Sequence, residues 1–190
     1  MEEERYATWA EKFRLSYIYF AKKLKSSLNA KKILDVGCGS GILANELSKI
    51  FKDAEIVGID KNVEMCKISR AIVADANFLP FKDRSFDLVI FSFSLHDTGL
   101  RAIYEAKRVL KNEGTIAIRD INSEMPSNIK KFVLDALRRY VSESYAERVS
   151  KAIWGFPSPR FVANFMSKEF EEVHLSKALF DFEIIAKIKK

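Results

Sequence analysis

Gly37, Gly39 and Gly41 fall within five residues, just after the acid Asp35, in a chain with seven glycines in all. Glycine tolerates positive φ and lets a ligand approach the main chain, and a helix beginning after such a turn offers free N–H groups. That combination suits a nucleotide or nucleoside. A dinucleotide site would be spaced GxGxxG/A, its third small residue allowing close helix–strand packing. Here that position is Ile42 and the spacing is GxGxG, which disfavours NAD. A turn that binds nothing is the remaining alternative.

Two further acids belong with this turn. Asp60 ends Ile56-Val57-Gly58-Ile59, about 20 residues on, where a carboxylate can accept hydrogen bonds from ribose hydroxyls; alone it would read as a helix cap. Asp75, before Ala76, could accept from an adenine amino group, or be an ordinary loop aspartate. His96 is the residue suited to proton transfer near neutrality, with a structural loop histidine as the competing reading. Asp97 and Asp120 are weaker candidates, and His174 reads as structural. Cys38 and Cys66 form no CxxC or Cys/His cluster, so no metal is expected and two free thiols are the favoured state.

The elements that must position these groups follow from periodicity. Glu2 to Leu28 reads as one helix, with Tyr6, Trp9, Phe13, Tyr17, Phe20 and Leu24 on one face. Strand Ile33–Val36 leads into the glycine turn and helix Ile42–Phe51. Strand 55–59, helix 63–70, strand 71–74, a loop containing Pro80, strand 86–92, helix 100–110 and strand 115–121 follow. Such alternation implies right-handed βαβ units and a parallel sheet covered on both faces. The rhythm then changes to a long helix from Pro126 to Ala152, a break at Trp154–Pro159 and a helix over 160–168. Strands 172–179 and 182–188, tightly joined at Phe180-Asp181, favour an antiparallel pair. The expectation is one domain over 1–190: an N-terminal helix (1–30), a cofactor-binding core (31–121), a substrate-capping insertion (122–165) and terminal strands (166–190).

From Lys31 to Ile121 the segments ILDVGCGSGILANEL, IVGIDKNVEMCKISR, VADANFLPFKDRSFDLVIFSFSLHD and EAKRVLKNEGTIAIRD occur in that order. Together they resemble the class I S-adenosylmethionine-dependent methyltransferases, in particular their small single-domain group. The resemblance implies an α/β fold: a Rossmann-like three-layer sandwich with a seven-stranded, mostly parallel sheet whose last strand is antiparallel. It implies S-adenosyl-L-methionine as cofactor. Gly37, Gly39 and Gly41 would face its methionine moiety, with Asp35 near the amino group. Asp60 would hold the ribose, with Lys61 and Asn62 beside it, and Asp75 and Ala76 the adenine edge. Phe91 and Ser92 would end the fourth strand against the cofactor, with His96 just beyond. The N-terminal helix, through Tyr6, Trp9 and Phe13, could fold over the site.

The acceptor is not named by these motifs. Ser92-Phe93-Ser94-Leu95 stands where methylases of exocyclic or amide nitrogen carry Asn/Asp-Pro-Pro-Tyr, and no cysteine is placed for cytosine C5 chemistry. Tyr6, Trp9, Tyr17, Tyr140, Tyr145, Trp154 and Phe156 could line an apolar pocket, although part of this set must be core. A small-molecule acceptor is the favoured reading. An RNA acceptor is the alternative, with Lys130, Lys131, Arg138, Arg139 and Arg148 on phosphates, and a non-catalytic partner subunit is the second. The chain has 190 residues, a net charge of +6, 48% hydrophobic and 31% charged residues, which suits one soluble domain. No run could span a bilayer, and an acidic Met1-Glu2-Glu3-Glu4 start is wrong for a secretory signal, so the expected location is cytoplasmic.

Overall fold

In a computed structural model, residues 1–188 are described; Lys189 and Lys190, the end of the expected 166–190 segment, lie outside them. Strands β1 (Lys32–Val36), β2 (Glu55–Asp60), β3 (Ile72–Val73), β4 (Phe86–Ser92), β5 (Leu110–Ile121), β6 (Phe170–Lys177) and β7 (Asp181–Ile188) form one sheet in the order β3-β2-β1-β4-β5-β7-β6. β3, β2, β1, β4 and β5 pair in parallel; β7 runs antiparallel to β5 and to β6. This is the Rossmann-like, mostly parallel seven-stranded sheet expected from the motifs, with its last strand antiparallel.

The period of two in the strands assigns the two faces. Ile33, Leu88 and Ile90 pack against Phe20, Leu24, Leu43 and Leu47 from helices α2 (Arg14–Ser27) and α3 (Ile42–Ile50). Their neighbours Leu34, Val89 and Phe91 point the other way, into a core with Ile103 and Ala106 of α6 (Ala102–Val109) and Val162 and Met166 of α9 (Pro159–Met166). Sequence order reverses between β1 and β4. In such sheets ligands bind at this switch point, beyond the carboxyl ends of the strands.

Two expected helices are each divided. The N-terminal stretch forms α1 (Glu2–Glu11) and α2, broken at Lys12–Phe13. Tyr6 and Trp9 of α1 pack on Leu137, Val141 and Ala146, whereas Phe20 and Leu24 of α2 pack on the sheet. A straight helix could not serve both surfaces. The insertion likewise forms α7 (Ser127–Tyr140) and α8 (Glu143–Gly155), separated at the buried Val141 and at Ser142, whose Oγ accepts the N–H of Tyr145 at 3.0 Å. Ser142 is an ordinary N-cap that the hydrophobic periodicity ran past. Helices α4 (Val63–Ser69) and α5 (Leu95–Thr98) complete the carboxyl edge of the sheet.

Candidate active site

The turn after β1 is built on backbone that other residues resist. Gly37, Gly39 and Gly41 have φ of +68°, +52° and +79°. A Cβ on Gly37 would stand 2.5 Å from Ser94 Cβ, and one on Gly41 2.9 Å from Ser69 Cβ. Ser94 also donates its hydroxyl to the Val36 carbonyl at 2.5 Å, tying the end of β1 to the loop after β4. Phe93, beside it, has φ of +54°. That conformation is uncommon outside glycine, and it is held by the Phe93 N–H donating to the Arg119 carbonyl at 2.7 Å.

The turn opens onto a narrow cavity of about 30 Å³, continuous with solvent and lined by Asp35, Gly37, Gly39, Ser92, Phe93, Tyr6 and Tyr17 among others. Asp35 is 1% exposed and neither carboxylate oxygen has a hydrogen-bond partner; Ser92 Oγ is also buried and unpartnered. Buried polar groups are normally satisfied, so both orphans fit a site that a polar ligand completes. Burial, with the nearby Asp60 charge, pushes the Asp35 carboxyl up to about 7. An ammonium group such as that of S-adenosylmethionine would answer this carboxylate directly.

Asp60 at the tip of β2 accepts the Gly39 N–H on one oxygen (2.9 Å) and the Asn62 N–H on the other (2.8 Å). Two of a carboxylate's roughly four acceptor positions thus hold the turn, leaving room for hydroxyl donors. Asn62, not Asp60, caps α4, with its side chain accepting from Glu64 and Met65. Asp75 pairs with Lys61 at 3.0 Å and accepts from the Asn77 backbone and side chain. The Asn77 bonds and Lys61 hold its carboxyl down at about 2. Ala76 is buried beside it.

Phe91 sits elsewhere. It is fully buried in the core behind the sheet, with Val36, Leu95 and Ile118, and is absent from the cavity wall. Strand alternation sends Ser92 to the cavity and Phe91 away from it, and the next aromatic in the wall is Phe93. Cys38 and Cys66 are free thiols, and burial pushes both above the ordinary thiol range.

His96 and Asp120, read separately from sequence, form a pair: His96 Nδ1 lies 2.6 Å from Asp120 Oδ1, and the His96 N–H donates to Asp120 Oδ2 at 3.0 Å. Asp97 Oδ2 is 3.5 Å from His96 Nε2. His174 lies on β6, paired opposite Ile185. Above the turn, the Tyr6 ring centroid is 5.0 Å from that of Tyr145. Tyr145 and burial hold the Tyr6 hydroxyl well above its ordinary range. Glu2 fastens α1 to α8 through Ser142, Ser144 and Arg148. Tyr17, expected as a pocket residue, is in the wall, whereas Phe93 was missed as a wall residue and Ser94 as the residue packed against Gly37. The Ser92-Phe93-Ser94 stretch at the end of β4 was the one available signal, because Ser94 packs directly on Gly37.

Residues 34–118 match the family described as "Methyltransferase domain". The chain is similar to a demethylmenaquinone methyltransferase of Thermotoga maritima, 29% identical over 175 residues and covering 80% of this chain and 75% of the relative. It is also similar to ribosomal RNA-processing protein 8 of Caenorhabditis elegans, 34% identical over 112 residues. There the match covers 57% of this chain but only 30% of the relative. A plantazolicin methyltransferase crystallised with SAH shares the fold, with a TM-score of 0.73 and 14% identity over 98% of this chain and 90% of that one.

Proposed function

We propose that the chain is a class I S-adenosylmethionine-dependent methyltransferase and that it methylates a small molecule bound between the sheet edge and the α7–α8 insertion. The bound cofactor supplies an electrophilic sulfonium methyl, so the protein's tasks are alignment, exclusion of water and handling of any acceptor proton. The carrying observation is Asp35, a buried carboxylate with no partner in the cavity wall. In this reading Asp35 takes the cofactor's ammonium group and Ser92 Oγ a neighbouring polar atom. Asp60 takes the ribose hydroxyls, and the Asp75–Ala76 turn, steadied by Lys61, takes the adenine edge. The acceptor lies beneath the Tyr6–Tyr145 roof, with His96 as the group that meets it. Residues 122–165 then act as the cap, and 1–190 as one functional unit.

The charges on the insertion favour a small acceptor over RNA. Arg138 is paired with Asp135 and Glu143, and Arg148 with Glu2. Lys130 is buried, its ammonium 4.1 Å from the Trp154 ring centroid. With Arg139 over the Tyr140 ring at 5.7 Å, four of the five cations that could grip phosphates are thus engaged within the chain. The test is incubation with methyl-labelled S-adenosylmethionine and separate small-molecule and RNA extracts. Label should enter the small-molecule fraction; label entering only RNA would overturn the acceptor assignment.

A further inference from the structure

Helix α1 stands between two hollows. Tyr6 and Ala10, four residues apart, put one stripe of the helix into the wall of the cofactor cavity. Arg5, Thr8 and Trp9, with Lys12 at the helix end, are spaced three and four apart and form the next stripe round. Together with Glu4, and with Tyr140 at the end of α7, they line a second, open groove. The two hollows share no lining residue, and the groove is much the larger, at about 240 Å³ against about 30 Å³.

The groove has aromatic walls and a positive rim. Trp9 and Tyr140 supply the rings. The Lys12 ammonium lies 4.5 Å from the Tyr140 ring centroid, and the Arg139 guanidinium reaches the same ring at 5.7 Å. The nearby acids are engaged elsewhere: Glu4 with the terminal ammonium at 2.8 Å, Glu11 with Arg14 at 2.6 Å and Glu2 with Arg148 at 2.9 Å. Arg5, Lys12 and Arg139 form no ion pair among the described residues. A flat ring carrying an anionic group answers both features, the ring packing on Trp9 and Tyr140 and the anion meeting Arg5 and Lys12. A cationic ligand would meet like charge on the rim. The volume suits a small molecule, since pockets for full-sized ligands run from about 300 to 1,000 Å³.

Whatever fills the groove also fixes α1. Tyr6 and Trp9 pack on helices α7 and α8, not on the sheet, and the chain breaks at Lys12–Phe13 before α2. The cavity on the inner side of α1, at about 30 Å³, has room for about two waters. A nucleoside enters only as a wall gives way, and α1 is the wall element held by other helices alone. Tyr140 belongs to α7, so a molecule gripped by Trp9, Lys12 and Tyr140 ties α1 to α7 in the arrangement that keeps the cavity narrow. A ligand shifts an equilibrium towards the state it binds better. We propose that the groove is a second binding site, for a small aromatic anion such as an aryl carboxylate, and that its occupancy opposes entry of the cofactor. The opposition to the cofactor rests on the methyltransferase reading; the aryl-anion site does not.

The test is calorimetry with 2-naphthoate and its cationic analogue 2-naphthylmethylammonium, on the wild type and on the double variant Arg5→Gln/Lys12→Gln. Both exchanged side chains are exposed, and the aromatic walls remain. Naphthoate should bind the wild type more tightly than the ammonium does, and the double variant about fivefold or more weakly, as the loss of two exposed charge pairs implies. Equal affinity for the two probes, or no loss in the double variant, overturns the site. In the wild type, saturating naphthoate should weaken S-adenosylhomocysteine binding by about fivefold or more, and S-adenosylhomocysteine should weaken naphthoate by the same factor. Unchanged or tighter S-adenosylhomocysteine binding overturns the coupling. So does a loss that persists undiminished in the double variant, which would put naphthoate in the cofactor cavity itself. Wild-type protein that takes up no S-adenosylhomocysteine at all would instead overturn the methyltransferase reading, with the aryl-anion site judged by the first titration.

Discussion

Asp35→Asn separates the cost of the empty site from its use. The wild-type carboxyl is buried without a partner, and raising it from 3.8 to about 7 corresponds to a ceiling of ~4 kcal/mol against the ionised form. Asparagine removes the charge at nearly constant shape, so the ligand-free variant should be more stable than the wild type at pH 7.5. We expect a gain of about 1–3 kcal/mol, since relaxation and water recover part of the ceiling. The pH dependence has a fixed sign. Between 3.8 and 7 the folded wild type binds more protons than the unfolded chain, so its stability relative to the variant falls as pH rises through that window and levels off above it. Ligand binding runs the other way. The ammonium of S-adenosylhomocysteine needs the carboxylate, so wild-type affinity should rise by close to tenfold per pH unit up to about 7 and then flatten, with proton release below that point. Removing one partner of a buried charge pair costs about 2–5 kcal/mol, so the variant should lose about 30-fold in affinity or more. Urea unfolding of the empty proteins and calorimetry in buffers of different ionisation enthalpy measure both halves. A variant that is less stable when empty, or that binds S-adenosylhomocysteine within threefold of wild type, would refute the assignment of Asp35.

Gly37→Ala forces a Cβ to within 2.5 Å of Ser94 Cβ at φ +68°, so it should cost about 2–4 kcal/mol by overpacking and strain, read by urea unfolding. Adding Ser94→Gly should recover the packing part and leave the strain. His96, held up at about 9 against an ordinary 6.5, adds stability that is full below pH 6.5 and is lost as pH rises through 9. The stability difference between wild type and His96→Gln should therefore shrink over that window by up to ~3 kcal/mol. The chain has two histidines, so nitrogen-15 spectra assigned with His174→Asn can show directly whether both ring nitrogens of His96 are protonated at pH 7. Glu2→Ala releases α1 from Ser142, Ser144 and Arg148. It should change stability by less than about 1 kcal/mol yet speed S-adenosylhomocysteine release about two- to fivefold in stopped flow.

The parts of the site legible in the sequence were those fixed by local backbone chemistry. Gly37, Gly39 and Gly41 were readable because the turn demands positive φ at each. Asp60 was readable because a strand end after a glycine turn has a known place in the sheet. The strand β4 matched its expected bounds, 86–92, because a parallel strand buried on both faces leaves a continuous apolar run, here Leu88–Phe91. What escaped was set by tertiary choice. The break between α1 and α2 exists because Tyr6 and Phe20 serve different surfaces, and helical periodicity is blind to which partner each face meets. Phe91 was placed at the cofactor because the motif aligns it there; the strand's alternation puts its side chain in the core.

The pairing of His96 with Asp120 changes what the site can be asked to do. Read one at a time, each was a candidate to remove a proton. At 2.6 Å apart they cannot both be free bases, because the attraction that steadies the pair also stabilises the shared proton. The cavity wall therefore holds one carboxylate without a cation, Asp35, and a positively charged cofactor answers it, whereas the charge of Asp120 is already answered by His96 within the protein.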